Sequence, residues 1–392
     1  MNKFTFNVRT FVVLFLCLLW SNQAYSQSGS WLDQGNYDIS WFDESKSTFY
    51  ISTAKQLAGV AYLSNSQNNT FSDKSIILQT DIDLSKHYWK PIKTFSGVLD
   101  GKGHTIDYIM AKADKENESV SFLSLLDRGK ILNLTIGENC NIKNEHTDFT
   151  SSQTSFCVMM REQSVIDNCV NKANLYAVGA DVAPFCGYMY ETCTISNCDN
   201  YGDIYAEKGS AYGIVASVER IYSYIEPGSI LNCNNYGTIS ASGTAIGITG
   251  SCYGNIKNCS NYGVLKNIGD IEGGGWIYGI TGYLEGEISD CKNTARLTSN
   301  AHAAGIAGGV SGIMTRCNNS GNIKADYCAG GILGTQSYQA TISDCYNTGN
   351  IEGGTYAGGI IGRVSSRFSC PVIVSCVNKG KITTAAGQAG GI

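Results

Sequence analysis

The 392 residues carry 28 basic and 33 acidic side chains, a formal charge of −5, with 43% hydrophobic residues. No basic run or patch stands out, which argues against nucleic acid or an anionic membrane surface as a partner. Glycine, at 45 residues, exceeds the usual share of about 7% and points to a turn-rich β protein.

The chain opens with Lys3 and Arg9, the apolar run "FVVLFLCLLW", and Ala24 and Ser26 in an A-x-S pattern. This reads as a secretory signal over residues 1–26, too short and wrongly flanked for a transmembrane span. Cys17 lacks the preceding small residues that lipoprotein processing wants, so ordinary cleavage is expected. Without Lys3 and Arg9, 26 basic residues face 33 acidic ones. The expected localisation is secreted or cell surface.

Residues 27–110 differ in composition from the rest. "STAKQLAGVAYLSN" places Leu57, Val60, Ala61 and Leu63 at helical spacing after a Ser/Thr start, predicting a short amphipathic helix over Thr53 to Leu63. "IILQTDIDL" and "FSGVLDGKGHTIDYI" read as strands around Gly-rich bends. The segment is expected to be an N-terminal cap, with the helix covering an open end, followed by the first coils.

From about residue 111 to 392 the chain is repetitive. One frame recurs at Cys169, Cys198, Cys233, Cys259, Cys291, Cys317, Cys345 and Cys376, at spacings of 26 to 35 residues. Two residues after each cysteine stands Asn171, Asn200, Asn235, Asn261, Asn293, Asn319, Asn347 or Asn378. Gly or Ala follows at four and Ile or Leu at six, so Cys, Asn, Gly and Ile share one face of an extended chain. Leu134 fills the cysteine slot of an earlier coil. A second block, from "AYGIVA" at Ala211 to "AGGIIG" at Ala357, completes each unit. Units of this length and period stack as a solenoid, here an all-β parallel β-helix with rungs about 4.8 Å apart. Its columns are a cysteine ladder, apolar ladders and an asparagine ladder whose amides bond from coil to coil. The end at Ile392 falls inside a block and is expected to be uncapped, open to a partner.

"LAGVAYLSN", "DIDLSKHYWKPI", "FSGVLDGKGHTI" and the "AGGIIG" blocks resemble bacterial cell-surface proteins with GLUG-motif repeats, also found beside the β-helical parts of IgA-specific metallo-endopeptidases. The resemblance implies a right-handed β-helix on an exported, often adhesin-like protein; the crossover preference agrees with that hand. "SFLSLL" at Ser121 and "SFCVMM" at Ser155 lack the motif's glycines, so irregular early coils are expected.

Parallel stacking makes disulfide geometry awkward, and buried cysteine behaves as a small hydrophobe. The eight frame cysteines are therefore expected to be reduced and packed. Cys140, Cys157, Cys186, Cys193, Cys252, Cys328 and Cys370 follow no common column, and Cys186 with Cys193 is the expected bridge. No metal and no cofactor is expected, since C-x-x-C and H-E-x-x-H are absent and His87, His104, His146 and His302 are scattered.

Two outward columns bear on function. Asp290, Arg316 and Asp344 precede successive frame cysteines, an array that could serve a polysaccharide lyase or hydrolase, against the plainer reading of a surface ion-pair ladder. Tyr201, Tyr236 and Tyr262 follow successive frame asparagines with opposite parity, so their rings should face outward, either packing on one another or offering a flat strip to a sugar or protein. The expected function is non-catalytic binding or adhesion at a cell surface, to an extracellular glycan or protein, through those tyrosines. The alternatives are a polysaccharide-active enzyme, or the non-catalytic arm of a larger surface protease.

Overall fold

A computed structural model describes residues 29–391 except 116–117, 147–151, 191, 222–223, 270–274, 337–338, 366–369 and 386. The signal expected at 1–26 lies outside the described residues. Every strand pair is parallel, and the strands form four long sheets, one of them with 11 strands in near-sequential order. The chain is thus a β-solenoid of about 11 turns, with one helix among the described residues.

One coil shows how the sequence makes a turn. Thr194–Ser196 is a strand; Asn197 turns the corner; Asp199–Asn200, Ile204–Ala206 and Ala211–Tyr212 are short strands; and Val215–Val218 closes the circuit. Each pairs in register with the coil on either side, as in Ile204↔Ile239 and Asn200↔Asn235. Period-two alternation sends every second side chain inward, so the same residue type recurs at the same slot.

The early coils are less irregular than their missing glycines suggest. Phe185 aligns with Ile214, Ile248, Ile280, Ile306, Ile332 and Ile360 through the register of the following strands. Phe156 and Phe185 stack with centroids 4.9 Å apart, and Trp89 stacks on Phe122 at 5.3 Å. Aromatic rings therefore fill upstream a slot that isoleucine fills downstream. All of these residues are buried.

The helix, α1, spans Ala54–Gln67, longer than the stretch to Leu63 that its apolar spacing predicts. Thr53 caps it through Oγ1, and Asn68, at φ 54°, ends it. Past Leu63, the Asn65 side chain donates to the carbonyls of Ala61, one turn back, and of Pro91. Ser64 Oγ donates to Thr94 O at 2.8 Å and accepts from Thr94 N at 3.1 Å. The helix thereby satisfies backbone groups of Ile92–Phe95, the first strand of its column, while Leu57, Val60, Ala61 and Leu63 join the core. It covers a sheet edge that would otherwise stand open. No helix among the described residues is long and apolar enough to cross a membrane.

Candidate functional site

The inner columns account for the strictness of the repeat. Each frame asparagine donates from Nδ2 to the carbonyl two residues on and, from Asn171 to Asn347, to Oδ1 of the next coil's asparagine. The links from Asn171 through Asn200, Asn235, Asn261, Asn293, Asn319 and Asn347 to Asn378 are 2.7–2.9 Å long. A buried amide without partners is costly, and here each rung supplies the next. Asn171 Oδ1, where the ladder starts, has no partner, because the rung before it presents Ile136. Glycines of the second block stand across the lumen from this ladder: a Cβ on Gly213 would lie 2.9 Å from Asn235 Cβ, and one on Gly279 2.8 Å from Asn293 Cβ. A Cβ on either would also lie 1.9 Å from the carbonyl of the next coil's glycine, Gly247 or Gly305, so the Gly column answers both to the Asn ladder and to its own backbone stacking.

The frame cysteines form the second inner column. Seven are buried and Cys376, in the last coil, is half-buried. Each thiol donates to the carbonyl two residues before it, from 3.0 Å at Cys198 to 3.4 Å at Cys317 and Cys376. Burial pushes the thiols of Cys198, Cys233 and Cys291 well up, so they stay protonated. The cysteines from Cys140 to Cys376 form no disulfide, so the bridge expected between Cys186 and Cys193 is not formed. Cys186 instead sits in the strand Cys186–Met189, its Sγ 3.2 Å from Tyr188 O, while Cys193 lies around the next bend. Cys157 pairs in register with Cys186, so these two do share a column, contrary to expectation.

The Asp290, Arg316 and Asp344 column turns out to be defined by its backbone. Asn133, Asn168, Asn197, Asn232, Asn258, Asp290, Arg316, Asp344 and Ser375 all have φ between 51° and 58°. This left-handed bend favours Asn and Asp, whose short polar side chains tolerate it. On the outside it carries a ladder of its own: Asn168 Nδ2 reaches Asn133 Oδ1 at 2.8 Å, and Asn258 Nδ2 reaches Asn232 Oδ1 at 2.8 Å. Arg316 continues the pattern with a two-pronged pair to Asp290, 2.7 and 2.8 Å. That bonding holds the Asp290 carboxyl below its ordinary range. Its carboxylate is engaged in a cross-rung contact, as a bend-stabilising ladder requires.

Tyr201, Tyr236 and Tyr262 lie on the outside, 51%, 40% and 41% exposed. Each backbone N–H donates at 2.8 Å to the carbonyl of the previous coil's frame asparagine, Asn171, Asn200 and Asn235. The rings stack with centroids 4.7 and 5.0 Å apart and planes within 6°. Their faces therefore cover one another, and what meets solvent is a row of ring edges and hydroxyls, not the flat strip that the spacing alone suggests. Burial first, then the Asp199 carboxylate, raises the Tyr201 hydroxyl; burial and Asp199 also raise that of Tyr236. Both are neutral donors at physiological pH.

A second aromatic strip has no counterpart in the sequence reading. Trp276, His302, Cys328 and Tyr356 occupy one slot on four consecutive coils. Their signal was the residue just ahead of each "GI" block, a position whose variability hides it among polar residues such as Ser210 and Thr244 upstream. No group of three or more metal-ligating side chains occurs among the described residues.

A parallel β-helix whose coils share an Asn ladder and a Gly column is the class that this geometry defines. Within it, residues 325–352 match the GLUG motif; they span one coil, from Ala325 to Glu352, with its Cys345, Asn347 and "AGGILG" block. A putative immunoglobulin A1 protease from Bacteroides ovatus, solved by crystallography, is similar over 89% of this chain and 84% of its own, at 16% identity and a TM-score of 0.42. No curated protein matches the chain.

Proposed function

We propose that this β-helix is a binding module displayed outside the cell, without catalysis of its own, and that the Tyr201, Tyr236 and Tyr262 stack is a contact surface for an extracellular glycan or protein. The observation that carries this reading is the stack itself: three half-exposed rings held at 4.7 and 5.0 Å by neighbouring rungs. A row of hydroxyls at that spacing is preorganised, so a ligand meets it without an ordering cost. Export rests on the signal pattern of residues 1–26. Contacts of this size are weak singly and gain from many copies on one surface.

The test is a glycan array and a cell-binding assay on three proteins: wild type, the triple Tyr→Phe variant and the triple Tyr→Ala variant. Phe keeps the stack and removes the hydroxyls, whereas Ala removes both. Loss in both variants supports hydroxyl recognition, and loss in Ala alone supports ring-edge contact. Full binding by the folded Ala variant, with folding checked by circular dichroism, rejects the stack as a contact surface.

A further inference from the structure

We infer that the strip of Trp276, His302, Tyr327, Tyr356 and Arg363 is a second binding site, built for a glycan that carries a carboxylate. It does not depend on the tyrosine stack, which lies beside a different sheet and shares with the strip only the coil that carries Tyr262 and Trp276.

The strip runs along consecutive coils as a chain of edge-to-face contacts. Trp276 meets His302 at 6.1 Å and 79°, His302 meets Tyr327 at 5.1 Å and 61°, and Tyr327 meets Tyr356 at 5.5 Å and 79°. Tyr327 takes the place of an aromatic at the Cys328 rung, because the Cys328 side chain is buried against the neighbouring strand, its Sγ 3.6 Å from Gly334 O. Such contacts use one ring's edge against another's face, so ring faces remain available, unlike those in a parallel stack. Trp276 is 49% exposed. Open aromatic faces on a rigid base suit the apolar C–H face of a pyranose ring.

The base is rigid because two strands meet there almost backbone to backbone. A Cβ on Gly330 would lie 2.9 Å from Gly362 N, and one on Gly362 would lie 2.8 Å from Cys328 Sγ. Only small groups, the glycines and the Cys328 thiol, separate the strands, so Arg363 on one reaches the rings on the other. Its guanidinium sits 4.9 Å from the Tyr356 ring centre, and Nη1 donates to the Tyr327 hydroxyl at 3.2 Å.

These two contacts fix the Arg363 fork and leave most of its five donors without a carboxylate; no ion pair among the described residues involves it. Among the described residues, two acids of these coils act elsewhere: Glu352 pairs with Lys324 at 2.6 Å, and Asp326 also acts on that lysine. Burial, then Arg363, lowers the His302 pKa. Arg363 is therefore the formal charge of the strip at neutral pH, in a chain whose net charge is negative. A preoriented guanidinium beside aromatic faces recognises a carboxylate with two parallel hydrogen bonds while the rings take the sugar.

The carboxylate could belong to a uronic acid or to a sialic acid, and the probes separate these. Titration calorimetry of the whole mature chain would use an oligogalacturonate and its methyl ester, and sialyllactose and lactose. We expect at least one acidic glycan to bind about tenfold or more tightly than its neutral partner, an effect the size of a charge-assisted hydrogen bond. Arg363→Met should abolish that preference, and Trp276→Ala should weaken acidic and neutral ligands alike. The triple Tyr→Ala variant of the upstream stack should bind these probes as wild type does, so failure of one site is distinguishable from failure of the other. Absence of binding to both acidic glycans overturns the inference, as does a preference unchanged in folded Arg363→Met.

Discussion

The inner and outer columns of this solenoid obey the same rung spacing yet behave oppositely. Inside, Asn occupies its slot on eight consecutive coils and Cys occupies its own on the same eight. Outside, the position after Asn drifts from Tyr to Thr, Ser and Thr again, and the slot of Trp276 changes residue on every coil. The difference teaches where the constraint lies. A buried amide is satisfied only by the same amide one rung away, so one departure strands two neighbours. An outer side chain has water as a substitute partner, and that slot is free to carry binding chemistry.

The largest break should come from a charge inside. Cys291→Asp places an unpaired carboxylate in a dry column, and thermal melting should show loss of about 4 kcal/mol or more, or local unfolding around that coil. Next comes the asparagine ladder. Asn293→Ala removes two cross-rung bonds and strands Asn319 Oδ1 and Ala295 O, an expected cost of about 3 kcal/mol by denaturant titration. Asn171→Ala removes one cross-rung bond, since Asn171 Oδ1 has no partner already, and should cost about 1 kcal/mol less. Equal losses at the two sites would show that the ladder is not what holds the coils.

Smaller effects sharpen the same contrast. Cys291→Ala should cost only about 1 kcal/mol, the loss of a small buried group. Thiol titration in denaturant without reductant should recover at least the eight frame cysteines; recovery of none would mean that the column is oxidised. Least of all, Arg316→Ala should leave the melting temperature within error, because its pair with Asp290 is exposed. The sign of any pH effect there is fixed. The Asp290 carboxyl is lowered by Arg316, so whatever the pair contributes is present above the ordinary carboxylate range and lost as pH falls through the lowered value. Release of reducing or unsaturated sugar from a polysaccharide, abolished by Asp290→Asn or Asp344→Asn, would give this column the catalytic role that its geometry does not support.

The sequence by itself determined the β-helix, its coil boundaries, and the identity of the inner ladders. Parallel strands repeat at a spacing fixed by backbone hydrogen bonds, so a residue type recurring at one offset inherits one environment. Asn171 to Asn378 and Cys169 to Cys376 were legible for that reason. Three things were decided only by the tertiary structure. The left-handed φ of the bend explains why Asp290 and Asp344 precede cysteines, and the sequence shows the preference for Asn and Asp there without its cause. The tilt of the rings turned Tyr201, Tyr236 and Tyr262 into a face-to-face stack, because spacing along a column says nothing about χ angles. Finally, Arg363 meets Tyr327 and Tyr356 across a corner between two strands. Contact across a corner depends on how sharply the coil bends and on what its glycines allow to approach, and no period along the chain encodes that.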